Sequence, residues 1–157
     1  MLRLNKLTDY GIVLLTYMAG APEPLLHSAR ELAAGTGLPL ATVGKILREL
    51  LDHSLVVSRR GTKGGYTLAR PAGNISVAEI IAAMEGPIAF TECYTAPGCC
   101  DLEPSCTVRY NSGVIGRALH RALENIRLSD LTRPLHLVHM AGGKNVVHIS
   151  LGPGREQ

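Results

Sequence analysis

The sequence predicts a mostly α fold with one small β hairpin, arranged as a winged helix-turn-helix followed by a long dimerisation helix. Three observations predict it. Residues His27 to Pro71 read as helix, turn, helix and basic hairpin. Beyond Cys106, apolar residues recur at the spacing of a helical seam. The chain has 157 residues, 46% of them hydrophobic, which is enough for one real core and short for two.

Thr8 or Asn5 can cap a first helix that runs to Met18 or Ala19 and stops at Gly20, before the turn Pro22-Glu23-Pro24. Its apolar face of Ile12, Leu15 and Met18, with Val13 and Leu14 beside it, packs under the next two helices. Asp9 in the first turn suits the positive end of the helix dipole. Ser28, with Glu31 three residues on, has the spacing of a capping box, in which each side chain satisfies an orphan amide of the other residue. Gly35-Thr36-Gly37 supplies left-handed positions that end this second helix, and Pro39 suits the first turn of a third.

From Leu40 to Leu51 the apolar residues fall at Leu40, Val43, Ile46, Leu47 and Leu50, a stripe that faces a core. Ala41, Thr42, Gly44, Lys45 and Arg48 are left on the outer face. That face is small, polar and basic, so it can come close to a DNA groove without bulk or negative charge holding the phosphates away. Gly44 lowers helix stability by about 1 kcal/mol relative to Ala, which close packing or close DNA approach would explain. Leu55-Val56-Val57 and Tyr66-Thr67-Leu68 flank the glycine-rich basic tip from Ser58 to Gly65, a β hairpin or wing. Residues 28–71 carry seven Lys or Arg against three Asp or Glu, a local net charge of +4 in a chain whose total is +3.

Past the wing, Pro71-Ala72-Gly73-Asn74 reads as a turn, and Ser76 with Glu79 repeats the capping-box spacing before a short helix through Met84 that Gly86-Pro87 ends. The loop from Glu92 to Cys106 follows, with two prolines and a glycine that forbid one regular element. All four cysteines lie between Cys93 and Cys106. No secretory signal is apparent, and the apolar run Ile12 to Leu15 is too short to span a bilayer, so a cytoplasmic protein with no membrane partner is expected. Clustered thiols in a reducing compartment argue for metal or redox chemistry rather than structural disulfides. Residues 72–106 hold five acids and no Lys or Arg, so this loop is unsuited to touching DNA itself.

Thiolates are the ligands iron-sulfur clusters prefer, and Cys93, Cys106 and one of the adjacent pair Cys99 and Cys100 could converge on one. Structural zinc held by three or four thiolates is the alternative. Ile115, Leu119, Ala122 and Ile126 then form a seam on a helix expected over about 108–131, near 30 Å long, better suited to pairing with a second copy than to one monomer's interior. Residues 132–157 read as a flexible extension. They carry His136, His139 and His148, the first two at a spacing that could ligate metal.

Four motifs together resemble the IscR-like, or Rrf-type, winged-helix transcription regulators: Lys6-Leu7-Thr8-Asp9-Tyr10, Gly37-Leu38-Pro39, Arg60-Gly61-Thr62-Lys63-Gly64-Gly65-Tyr66 and Met84-Glu85-Gly86-Pro87. The resemblance covers roughly residues 1–131, and the string from Cys100 to Cys106 looks like the branch that regulates SUF-type iron-sulfur assembly. It implies a homodimer on double-stranded DNA whose operator binding responds to an iron-sulfur cluster, 2Fe-2S rather than 4Fe-4S. In that reading Ser28, Thr42, Lys45, Arg48, Arg59, Arg60 and Lys63 touch DNA. Cys93, Cys100 and Cys106 ligate the cluster, with Asp9 of the other subunit a further candidate. Relatives often place a histidine three residues after the last cysteine, where this chain has Arg109, and a tryptophan nearby, where it has none. No C-x-x-C, phosphate loop or nucleophile and base pair is present, so neither an enzyme nor a small-molecule substrate is expected. A non-enzymatic interaction protein that binds iron-sulfur or zinc is the alternative function.

Overall fold

The computed structural model describes residues 4–21, 25–61, 64–91, 98, 100–138 and 148–151. Helix α1 (Lys6–Gly20) starts where the Asn5 side chain accepts the Thr8 amide, so Asn5, not Thr8, is its cap. Its buried side is Thr8, Gly11, Leu14, Leu15 and Met18, while Val13 faces outward. Helices α2 (Ala29–Thr36) and α3 (Leu40–Asp52) follow. Both halves of the Ser28 capping box are formed, and Gly37 at φ +70° ends α2.

Gly35 is a glycine for another reason than the expected left-handed turn. It lies inside α2, and a Cβ there would stand 2.2 Å from Tyr17 Cζ. Pro39 sits one place earlier than expected, at the N-cap of α3. Val43, Ile46, Leu47 and Leu50 are buried, but Leu40 is 48% exposed because it lies at the first position of α3, beyond the edge of the core. Ser54 at φ 55° reverses the chain after α3, and Leu55 N donates to Leu50 O at 2.9 Å.

Strands β1 (Val56–Arg59) and β2 (Gly65–Leu68) pair antiparallel, Val56 opposite Leu68 and Arg59 opposite Gly65. His27 bridges to the other edge of β2: its amide donates to Tyr66 O at 2.9 Å and its carbonyl accepts from Tyr66 N at 2.8 Å. Gly65 permits that approach, since a Cβ there would lie 2.7 Å from His27 O. Helix α4 (Val77–Glu85), capped by Ser76 and Glu79 in a second complete box, closes the core against α1.

Helix α5 (Arg109–Glu124) has 16 residues, about 24 Å at 1.5 Å per residue, and is shorter than the expected 108–131 span. It stops because tertiary bonds capture the chain beyond it. Val77 N donates to Ile126 O at 2.9 Å, Leu128 N donates to Ile75 O at 2.8 Å, and Leu128 is fully buried at the head of a 3-10 turn, Leu128–Thr132. The C-terminal stretch contains an unanticipated hairpin, β3 (Leu135–Val138) antiparallel to β4 (His148–Leu151). His136 and His148 fall on these strands, while His139 lies outside the described residues.

One core joins these parts: Leu14, Leu15 and Met18 of α1, Leu32 of α2, the four buried residues of α3, Val56 of β1, Ile80 of α4, and Leu128. It leaves the outer side of α3 and the exposed stretch Ser58 to Gly61 at the end of the wing outside the packing. Among the described residues no helix is long and apolar enough to cross a membrane.

Candidate nucleic-acid interface and cysteine segment

Two features qualify as functional. The first is the surface shared by α3 and the wing. Burying Val43, Ile46, Leu47 and Leu50 turns Ala41, Gly44, Lys45 and Arg48 outward, all exposed, with Thr42 half-buried beside them. Ala41, Gly44, Lys45 and Arg48 line a groove of about 600 Å³ whose far side is Tyr66. Tyr66, placed by the sequence on a strand and at the end of the wing motif, is a site residue not among the expected DNA contacts. Its signal was an aromatic side chain directly after the paired glycines of the wing.

Arg59 and Arg60 are exposed at the end of β1. Among the described residues, Lys45, Arg48, Arg59 and Arg60 take part in none of the ion pairs, which are Arg70 with Glu79, Arg109 with Glu103, and His120 with Glu124. Four cations without internal partners leave the face ready for phosphates. Lys63 lies outside the described residues. Gly44 meets no atom within 4 Å of a Cβ built on it, so close packing inside the chain does not account for it.

Ser28 is committed to α2. Its Oγ accepts from Glu31 N at 3.2 Å, and the Glu31 carboxylate accepts from Ser28 N at 2.7 Å. The hydroxyl proton is directed to the Glu31 carboxylate, so a phosphate contact from Ser28 would have to displace that bond. The bond from the Ser28 amide, reinforced by the one to its hydroxyl, holds the Glu31 carboxyl below its ordinary value.

The second feature is the cysteine segment. Cys100 is exposed, Cys106 is half-buried, and both are free thiols. They flank a 3-10 turn, Glu103–Ser105, in which Glu103 N donates to Cys100 O at 3.0 Å. Glu103 is the hub. Its carboxylate accepts from Gly98 N at 2.6 Å and pairs with Arg109 at 2.7 Å, and its side chain is only 9% exposed. Arg109, which stands where relatives often have a ligand, is therefore a strut between this turn and the start of α5.

Cys93 and Cys99 lie outside the described residues, and among those described no three His, Cys, Asp or Glu side chains gather to hold a metal. Asp9 is exposed in the first turn of α1 and is not grouped with Cys100 and Cys106. The same end of α1 is tied to α4 by Asn5 N donating to Glu85 Oε1 at 2.8 Å, one residue before Gly86 leads the chain toward the cysteines. Free thiols flanking a tight turn suit a soft, thiolate-bound group.

Comparison with known proteins agrees with this geometry. Residues 4–134 match the Rrf2 family, described as an iron-dependent transcriptional regulator. The chain is similar in structure to CymR (YrzC), the global cysteine regulator of B. subtilis, at a TM-score of 0.67 and 24% identity, covering 84% of this chain and 97% of that one. It is also similar to T. potens IscR, at 0.61 and 24%, covering 83% and 85%. Staphylococcus aureus CymR matches at 0.58 and 25%, covering 84% and 99%.

Proposed function

Because the chain belongs to the Rrf2 family of iron-dependent transcriptional regulators, we propose that it is a homodimeric operator-binding regulator whose grip on DNA depends on an iron-sulfur cluster. By resemblance, its targets are iron-sulfur assembly genes of the SUF type. The observation that carries the DNA half is the set of four cations that form no ion pair among the described residues, Lys45 and Arg48 on α3 and Arg59 and Arg60 at the end of β1. Thr42, Lys45 and Arg48 approach base edges in the major groove. Ser28, Arg59, Arg60 and Lys63 fix the backbone or enter the minor groove.

Dimerisation is supported by α5. It buries Gly113 and Gly116, the latter with a Cβ position 3.6 Å from Phe90 N, and leaves Val114 and Ile115 41% and 42% exposed, with Ala118 and Ala122 also outside. An apolar outer strip on a helix whose other side is already packed suits a second copy, and twofold pairing would present two α3 helices to half-sites about 34 Å apart.

Cys93, Cys100 and Cys106 would hold the cluster, with Cys99 in reserve and Asp9 of the other subunit a candidate fourth ligand. When bound, the cluster supplies sensitivity to iron supply and oxidants. This chain's own residues would pass the signal on. Glu103 ties Gly98 to Arg109, and Arg109 N donates to Cys106 O at 3.4 Å, so closing the segment fixes the first turn of α5 and, through the dimer, the spacing of the two α3 helices.

The test is anaerobic purification with an absorption spectrum and metal analysis, followed by footprinting of metal-loaded and metal-free protein on the DNA upstream of its own gene. Iron and sulfide in the protein with a footprint that changes on their removal is the expected result. Zinc in place of iron, or a footprint indifferent to metal, overturns the sensing half. Absence of any footprint overturns the DNA half and favours the interaction protein.

A further inference from the structure

The start of α3 carries almost no hydrogen-bonding side chain. From Leu38 to Gly44 the only polar side chain is that of Thr42, and there is no charge. Leu38 packs against the core and Val43 is buried, but Pro39, Leu40 and Ala41 are exposed in a row, Leu40 by 48%. Gly44 lies one turn beyond Leu40, and nothing stands within 4 Å of a Cβ built on it, so the space over that turn is open. Ala41, Lys45 and Arg48 follow at i, i+4 and i+7 and line one groove. The outer side of α3 is thus divided along its length, with hydrocarbon at the start, cations beyond, and no acid from Leu38 to Arg48.

One exposed leucine needs no explanation, but an apolar run leading into two cations on the same helix does. In helix-turn-helix readers the N-terminal residues of the second helix meet base edges in the major groove. Those edges present donors and acceptors everywhere except at one methyl group, on C5 of thymine. Alkyl side chains gain affinity from that methyl, and over any other edge they would leave a polar group without its bond. We infer that Leu40 and Ala41 are specificity-determining residues that select thymine, an assignment that rests on the operator binding proposed above. Each half-site carries thymine where the start of α3 meets it, and the two side chains cover its methyl. Lys45 and Arg48, further along, supply the polar contacts. A protein partner would also cover the apolar run, but the cations that continue it, with no acid between, complement phosphates.

The experiment takes the full-length protein, purified anaerobically, and enriches its preferred sequence from random duplexes. The enriched duplex is then remade with deoxyuridine for each thymidine in turn, which removes the methyl and keeps the pairing. At the position facing the start of α3, anisotropy should show binding weaker by about fourfold per half-site, the effect of leaving one methyl-sized group unburied. The double variant Leu40→Gln, Ala41→Ser changes two exposed positions outside the core. It should bind the uracil duplex as the parent does, with the same helix content by circular dichroism, and the thymine preference should fall toward one. Sequence-specific binding that treats thymine and uracil alike at every position overturns the inference alone and leaves the apolar run to a protein partner. A preference that the double variant keeps in full overturns it too, since the methyl would then act through DNA shape. If no sequence is enriched and no duplex is bound, the operator reading itself falls and takes this assignment with it.

Discussion

Gly44 separates what the fold needs from what the surface needs. With no neighbour within 4 Å of its Cβ position, Ala at this site gains helix propensity at no packing cost. Gly44→Ala should therefore raise stability by about 0.8–1 kcal/mol in urea unfolding. The same methyl intrudes on the groove between α3 and Tyr66, so operator affinity by fluorescence anisotropy should fall. Opposite signs in the two measurements are the prediction; unchanged affinity would remove Gly44 from the interface. Ser28 is the converse case, since its hydroxyl serves the fold first. Ser28→Ala removes the half of the box in which the hydroxyl accepts the Glu31 amide, leaving the bond from the residue 28 amide to the Glu31 carboxylate, and should lower stability by about 1 kcal/mol. A drop in affinity larger than the unfolded fraction explains would show that its proton also reaches a phosphate. Ser28, Glu31 and Gly37 were legible from the sequence because their roles are local, decided within four residues. Tyr17 against Gly35, and His27 against Gly65, were not, because nothing along the chain says which distant residue approaches a glycine.

Elements were legible where their periodicity and caps agreed, and their ends were not where tertiary bonds decided them. Helix α3 and the wing lie where the apolar stripe and glycines put them. The end of α5 is set by Leu128 entering the core and by bonds to Ile75 and Val77, which no local pattern in 108–131 records. The seam also divides: Ile115 and Ala122 are outside, while the buried side is made of Gly113 and Gly116, residues that hydrophobicity alone does not mark. Ile115→Glu should therefore leave helix content unchanged and convert a dimer to monomer in light scattering, with weaker operator binding; a persistent dimer would place the interface elsewhere. At α4, burial pushes the Glu79 carboxyl up, but the Ser76 amide and hydroxyl and the nearby Arg70 outweigh it and hold the group below its ordinary value. A carboxyl lowered in the folded state adds stability above its unfolded pKa, near 4.3, and that stability is lost as pH falls through the folded value. Acid unfolding of Ser76→Ala should thus show a shallower loss of stability below about pH 4.3 than the parent, along with lower stability at neutral pH. Parallel curves would mean that the Ser76 hydroxyl contributes nothing to the shift, which the amide and Arg70 would then carry.

At the scale of the molecule, charge is divided between a basic reader and an acidic cysteine segment, and the sequence displayed that division plainly. What it did not display is the mechanical link. Arg109 looked like a missing ligand, yet in the fold it joins Glu103 across the start of α5, and Glu103 in turn holds Gly98. Among the described residues, a short run of bonds joins the segment to the start of α5. Coupling energies between sites are typically 1–3 kcal/mol, about five- to 150-fold in affinity. Arg109→Ala removes the strut without removing a thiol or a DNA-facing cation. The variant should bind metal with the same stoichiometry and an unchanged absorption spectrum, and it should still shift operator DNA. The ratio of affinities between metal-loaded and metal-free protein should fall toward one. An unchanged ratio would mean that the signal travels by another route, of which the tie between Asn5 and Glu85, joining the start of α1 to the end of α4, is the next to test. Loss of metal together with loss of the ratio would instead make Arg109 part of the binding site, and the strut would cease to be a separate device.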